Sequence, residues 1–470
     1  MITRSNTMKV LLFALVGIFI HMTAHAMDDN RADAWTALEQ AREEILQDRL
    51  SEAKETLAHL ERLELTESEG GEKAFLEAEI LWREGDREQA YQKYKQAKDM
   101  LPVDNFWKSE ALWKMAEYHN ARKEGIMAMH YGRQSVQLLP DSQTRNLQMA
   151  YLAMENNKDK EAAMYFERAV KAKQPDDDQM FVFMDMAYAY KRIGENEKVL
   201  DYLKRVIDVY TDKTGGQEPP VRRDVETLYN LRREHADITR KFGASSGIFY
   251  VRDENSDYAW QGLQELYWQP YYSNGRLVQV YGQMIGNFRT KGLGADGGDS
   301  VYGVLGVRAE PLAQYNLLLG LERVFKIGKE TENNVRLRVA YSWDTGMELQ
   351  PYVPNWQYAT LFTEYIYAME TEYSLFHGKT RFGRSFRIDA INSRLAISPH
   401  AFASCDYNSR FFRGSDRWQA HAGVGIHFRQ WYRENKYNAP RSYFDVFIEY
   451  RAGLTSRSNN GFVLMLVNYF

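Results

Sequence analysis

Hydrophobic positions along this chain keep two different periods. From about residue 33 to 242, apolar and small residues recur at helical spacing; from about 246 to the end they alternate with polar residues at every second position. In the first half, Gly85, Ala90, Tyr94, Ala97 and Pro102 set a register: a small residue, an aromatic four later, a small residue three after that, then proline. Ala128, Gly132, Ser135 and Pro140 repeat it with a small residue in the aromatic slot, and Ala162, Phe166 and Ala169 repeat it with Pro175 one position late. Gly194, Val199, Leu203 and Val206 form a later copy; Ala53, Leu57 and Leu60 form an earlier one. The anchors Ala53, Ala90, Ala128, Ala162 and Val199 stand 34 to 38 residues apart. Positions i, i+4 and i+7 share a helix face. A helix pair that cannot bury its open face alone must stack on the next pair.

That period and pattern are those of tetratricopeptide repeats. The first half therefore reads as an all-α solenoid over 27–210. The breaker cluster from Thr211 to Pro220 and an amphipathic helix from about Arg222 to Phe242 make 211–245 a linker and connecting helix.

The second half, 246–470, reads as strands. Val335, Leu337, Val339, Tyr341 and Trp343 alternate with Arg336, Arg338, Ala340 and Ser342. The same alternation runs through 278–289, 420–429 and 444–451. Twelve segments are legible, the first near 246–252 and the last at 461–470. Several are long enough to cross a bilayer when tilted, since about 10 residues suffice. Most of the aromatics (31 Tyr, 23 Phe and 10 Trp in all) fall in this half, often at strand ends, as in the girdles of an outer-membrane barrel. The fold expected is thus an N-terminal tetratricopeptide-repeat solenoid followed by a transmembrane antiparallel β-barrel of about twelve strands. An even strand count returns both barrel ends to one side, which for such barrels is the periplasm.

The N-terminus supports that destination. Arg4 and Lys9 precede the apolar run Val10–Ile20, and Ala24-His25-Ala26 offers small residues for cleavage after Ala26, so 1–26 reads as a secretory signal peptide. At the other end, Phe462, Leu464, Leu466 and Phe470 share one face, and a terminal phenylalanine closing an alternating strand resembles the signal read by the outer-membrane barrel assembly machinery. A soluble β-sandwich is the alternative for this half. The net charge of -4 carries no footprint for nucleic acid, and a single cysteine, Cys405, precludes a disulfide framework.

Charge on a lipid-facing position costs about 2–4 kcal/mol near the midplane. The charged register Arg308, Glu310, Arg336, Arg338, Glu364, Arg381, Arg387, Asp445, Glu449 and Arg451 must then face the lumen. These side chains either brace the wall or line a polar pathway, and Tyr281 is placed to stack on a sugar ring. No chemistry or cofactor is expected. Gly292-Leu293-Gly294-Ala295-Asp296-Gly297 fits a dinucleotide motif but precedes a strand, so it reads as a loop. His421 and His427 are six residues apart on one strand, too far to chelate one metal together, and with His400 they read as solvated lumen histidines. Ser385, Ser398 and Ser404 have no histidine placed beside them by spacing.

Several stretches of the barrel half resemble the C-terminal domain of the bacteriophage N4 adsorption protein A family. They are Gly306 to Leu312, Leu321 to Gly328, Ala340 to Asp344, Gly383 to Arg387 and Tyr437 to Tyr443. The resemblance implies a periplasmic repeat solenoid on an outer-membrane barrel, similar in plan to polysaccharide exporters. It implies export of an exopolysaccharide beside an inner-membrane glycosyltransferase, and use of the surface by a phage tail protein as receptor. This chain has fewer repeats than those relatives. The alternative is a non-conducting outer-membrane anchor that displays the solenoid as a protein-binding domain.

Overall fold

The computed structural model describes residues 29–172, 180–213, 221–253, 258–273, 275–291, 300–312, 315–409, 417–455 and 458–470. The expected signal peptide with its cleavage site at Ala26, and the Gly292–Gly297 motif, lie outside the described residues. Among the described residues eleven α-helices come first: α1 (Asp29–Leu46), α2 (Leu50–His59), α3 (Glu67–Glu84), α4 (Arg87–Met100), α5 (Phe106–Ala121), α6 (Gly125–Leu138), α7 (Gln143–Glu155), α8 (Asp159–Lys171), α9 (Met180–Ile193), α10 (Asn196–Lys213) and α11 (Arg222–Thr239). None is long and apolar enough to cross a membrane.

The repeat register explains the helix pairs. Ala53, Ala90, Ala128 and Ala162 have no accessible surface, and Val199 has 1%. A methyl at that position lets the second helix of each pair close onto the first. The aromatic slot fills the groove: Tyr94 and Phe166 are fully buried, and the Tyr94 hydroxyl donates to Glu79 at 2.5 Å. Local signals set the boundaries. Thr66 and Glu69 form a reciprocal capping box at the start of α3. Gly85 ends that helix at φ 92°, a left-handed conformation that glycine adopts without strain, and the Asp86 side chain caps α4.

The barrel has twelve strands: β1 (Phe242–Asp253), β2 (Tyr258–Ser273), β3 (Arg276–Lys291), β4 (Tyr302–Leu312), β5 (Leu317–Lys326), β6 (Asn334–Thr345), β7 (Asn355–Ala368), β8 (Tyr373–Ile388), β9 (Asn392–Asn408), β10 (Trp418–Tyr432), β11 (Ser442–Gly453) and β12 (Gly461–Tyr469). Every neighbour is antiparallel, and β1 pairs with β12 to close the sheet, from Ser245↔Tyr469 to Asp253↔Gly461. Closure leaves no strand edge unpaired, the condition for a sheet to span hydrocarbon. The outward register is apolar and exposed, as Leu305, Val307, Leu321, Leu337, Val339, Phe382 and Val424 show. The barrel is thus inside-out relative to a soluble fold, which removes the β-sandwich alternative.

The chain forms two compact units, Met1–Val182 and Phe183–Phe470. The last helices therefore group with the barrel, held by polar contacts of α10 and by the packing of Tyr229 of α11. Asp208 of α10 accepts from the Tyr437 hydroxyl (2.9 Å) and pairs with Lys436 (2.5 Å), and Asn196 donates to the Tyr272 carbonyl at 2.6 Å. Burial raises the Asp208 carboxyl, but the Lys436 and Tyr437 hydrogen bonds outweigh it and hold the group below its usual range.

Candidate functional site: the barrel lumen

Strands alternate direction, so the start of β1, the end of β12 and the turns after β2, β4, β6, β8 and β10 share one end, here the near end. Inward positions follow from the period of two. Four groups of charged side chains meet there. On one wall, Arg308 of β4 forks onto Glu265 of β2 (2.9 Å) and donates to Gln279 (2.6 Å), while Gln283 also donates to Glu265 (2.5 Å). Beside it, Arg338 of β6 lies between Glu322 (2.7 Å) and Glu364 (2.6 Å), and the Tyr281 hydroxyl donates to Glu322. Across the lumen, Glu449 of β11 gathers Lys379 (2.6 Å), Arg381 (2.9 Å) and His400 (3.2 Å). Nearer the near end, Arg429 binds both oxygens of Asp445 at 2.7 Å, and His427 Nε2 stands 2.9 Å from Asp445 Oδ1.

These groups obey the rule that buried charge is tolerated when paired and hydrogen-bonded. Glu322 and Glu449 are 1% exposed, and Asp445 is 3%. Two expectations are corrected by this packing. Tyr281 is 2% exposed, with its hydroxyl committed to Glu322 and the Arg308 guanidinium 4.6 Å from its ring centroid, so no sugar can stack on it. His400, His421 and His427 are buried rather than solvated, because the barrel is narrow enough for inward side chains to reach their neighbours. His427 stacks flat on Phe447 at 4.0 Å.

The remaining predicted residues fall as follows. Glu310 and Arg451 are half-buried on the inward register, and Arg336 lies at the far mouth. Arg387 is at the near rim, where it binds Asp389 (2.5 Å) and the Pro351 carbonyl. The Ser385 and Ser398 hydroxyls bond each other at 2.8 Å. Phe462 is exposed on the outward face of β12 with Leu464 and Leu466 half-buried, and Phe470 exchanges backbone hydrogen bonds with Ala244 (2.8 and 3.4 Å). Sequence reasoning missed Glu265, Glu322, Lys379 and Arg429. The signal for Glu322 was present: Leu319 and Leu321 face outward, so parity turns Glu322 inward, whereas Arg323 reaches out to Glu370 at the far rim.

The lumen is not filled evenly. Along the β6–β8 wall, Ser342, Asp344 and Phe362 point inward yet are exposed, Phe362 by 38%. Ser342 is the register partner of Phe362, and beyond it lie His377 and Asp406, paired at 2.6 Å with side chains 42% and 47% exposed. Asp344 is close to the near end of β6 and Asp406 close to the far end of β9, so accessible inward residues run from one end to the other.

The near mouth is partly covered. Tyr229 of α11 packs with Leu349 and Ala439 of the near loops and with the inward Trp356, Ala396 and Trp431. Arg429 donates to the Met347 carbonyl (2.8 Å), Trp356 to the Gly346 carbonyl (2.8 Å), and Arg387 to Pro351, which holds the 346–354 loop over the opening. Arg232 donates to the Asn435 and Asn438 carbonyls (2.5 and 3.1 Å), and His235 Nδ1 bonds Asn438 at 2.7 Å. Among the described residues no three His, Cys, Asp or Glu side chains cluster as metal ligands.

Residues 294–465 match the family described as Bacteriophage N adsorption protein A C-term, the same family that the barrel motifs resemble. No curated protein matches the chain. Solved structures similar to it include a Podosopora anserina putative kinesin light chain with nearly identical TPR-like repeats, 15% identical over 40% of this chain and 99% of that one, with TM-score 0.33. MamA from Desulfovibrio magneticus RS-1 is 13% identical over 40% of this chain and 98% of that one, with TM-score 0.31. The apo form of RapI is 13% identical over 49% of this chain and 67% of that one, with TM-score 0.35. The closed barrel with its apolar outer band and the family match identify an outer-membrane barrel protein with a tetratricopeptide-like helical region.

Proposed function

We propose that this protein conducts a hydrophilic polysaccharide across the outer membrane, with the solenoid in the periplasm. The observation that carries this reading is the line of water-accessible inward residues, Asp344, Ser342, Phe362, His377 and Asp406, beside a wall that is otherwise packed. Hydroxyl, carboxylate and imidazole groups exchange hydrogen bonds with sugar hydroxyls, and the exposed Phe362 ring offers a face for a pyranose. Weak repeated contacts favour passage over capture. The ion-paired groups on the other walls brace the barrel and keep their charges from holding the chain. The inner-membrane glycosyltransferase that would supply the polymer is the partner assigned to the solenoid, and a phage tail protein is the partner assigned to the outer surface.

The test is single-channel conductance of the full chain in a planar bilayer. A steady current that falls on adding neutral oligosaccharides supports export, and Ser342→Trp, which fills the accessible strip, should abolish most of it. Absence of current in the wild type under all voltages would sink the pore. A second reading, a non-conducting anchor or receptor, is favoured by α11 and the 346–354 loop at the near mouth. The same recording separates the two.

A further inference from the structure

The far mouth holds a polar pocket whose walls include Tyr302, Asn334, Arg336 and Tyr373, with Glu330 and Glu332 on the β5–β6 loop. Arg336 is the informative member. Arg308, Arg338, Arg381 and Arg429, inward like it, each meet a carboxylate within 2.6–2.9 Å. Arg336 meets none among the described residues. Its Nη2 donates to the Tyr373 hydroxyl at 3.2 Å, the Tyr302 ring centroid is 5.3 Å from its guanidinium, and its buried Nε–H has no hydrogen-bond partner. Asn334 cannot help, because its amide is committed to Thr371 and to the Glu370 backbone.

A half-buried guanidinium flanked by two tyrosines, with no carboxylate in ion-pair contact, is stabilised by an anion that arrives from outside. The planar fork suits a carboxylate or phosphate oxygen pair. The two glutamates on the rim decide between these: they repel a dianionic phosphate more than a singly charged carboxylate, and they accept hydrogen bonds from sugar hydroxyls. Tyr373 adds a ring of the kind that packs on a pyranose. We infer that this pocket binds a carboxylate-bearing sugar, a hexuronate unit, with its carboxylate on Arg336. The inference takes from the export reading only that a saccharide reaches the far mouth, and binding is measured without transport, so each can fail alone.

The experiment is isothermal titration of the detergent-solubilised full chain at pH 7 and low salt with trigalacturonate, maltotriose or inorganic phosphate. The expected result is binding of trigalacturonate alone, weakened about tenfold or more in Arg336→Gln, as loss of a charge-assisted fork requires. Heat-modifiable migration on gels confirms that the variant is folded. If it is not, Arg336→Lys carries the test, since it keeps the charge but loses the fork and should still bind more weakly than wild type. Equal binding of maltotriose, equal or tighter binding of phosphate, no binding of trigalacturonate, or an unchanged affinity in the folded variant would each overturn the assignment.

Discussion

At the scale of single residues, the lumen shows what narrowness does to charge. Glu449 is 1% exposed and touches Lys379, Arg381 and His400. Its carboxylate is the common counter-ion of groups that would otherwise repel one another. Breaking a buried pair by removing one partner costs about 3–5 kcal/mol, because the remaining charge stays buried and uncompensated. Glu449→Gln keeps the shape and removes the charge, so the barrel should lose heat-modifiable migration at a markedly lower temperature than wild type. An unchanged transition would mean that water already solvates Lys379 and Arg381. The identity of such groups was only half legible in the sequence. Glu449 stands in a clean alternation and could be turned inward by parity. Its partners His400 on β9 and Lys379 on β8 lie two and three strands away by pairing, and nothing in the linear order brings them together.

At the scale of elements, more was legible. Strand limits follow from alternation and turn residues, so the last strand, expected at 461–470, is found at Gly461–Tyr469. Strand β9 runs straight through Pro399, which has no N–H for the ladder. The register to β8 is kept from Gly383↔His400 to Phe386↔Ile397, but pairing lapses at Arg384 and Ser385 between them. The join between helix and barrel was not legible, because it depends on long-range polar contacts. It yields a pH prediction. Burial holds the His235 imidazole below its ordinary 6.5, and its Nε2 is buried without a partner while Nδ1 bonds Asn438. A depressed histidine contributes stability above the unfolded pKa, and that contribution is lost as pH falls. Hydrogen exchange of α11 amides should therefore accelerate from pH 7 to pH 5, and His235→Gln, which cannot titrate, should flatten the change. The same acceleration in both proteins would assign it to other groups.

At the scale of the molecule, two features pull in opposite directions. Accessible residues run the length of the β6–β8 wall, yet α11 and the 346–354 loop cover the β7–β11 side of the near mouth. The cover is held by a few contacts: the Tyr229 ring among Trp356, Ala396 and Trp431, the Arg429 bond to Met347, and the α11 bonds to Asn435 and Asn438. Tyr229 is 7% exposed, so Tyr229→Ala removes a buried aromatic at a cost of about 3–5 kcal/mol, most of it falling on this joint rather than on the strands. The cover should open more often while the barrel stays folded. Full-length Tyr229→Ala in a planar bilayer should then show larger or longer openings than wild type, with unchanged heat-modifiable migration. If current rises, the near mouth limits passage, and whatever engages the helices at that end is placed to control it. If current stays the same while α11 exchanges faster, the cover is structural, and the narrowest point lies within the lumen between Phe362 and the Glu449 cluster.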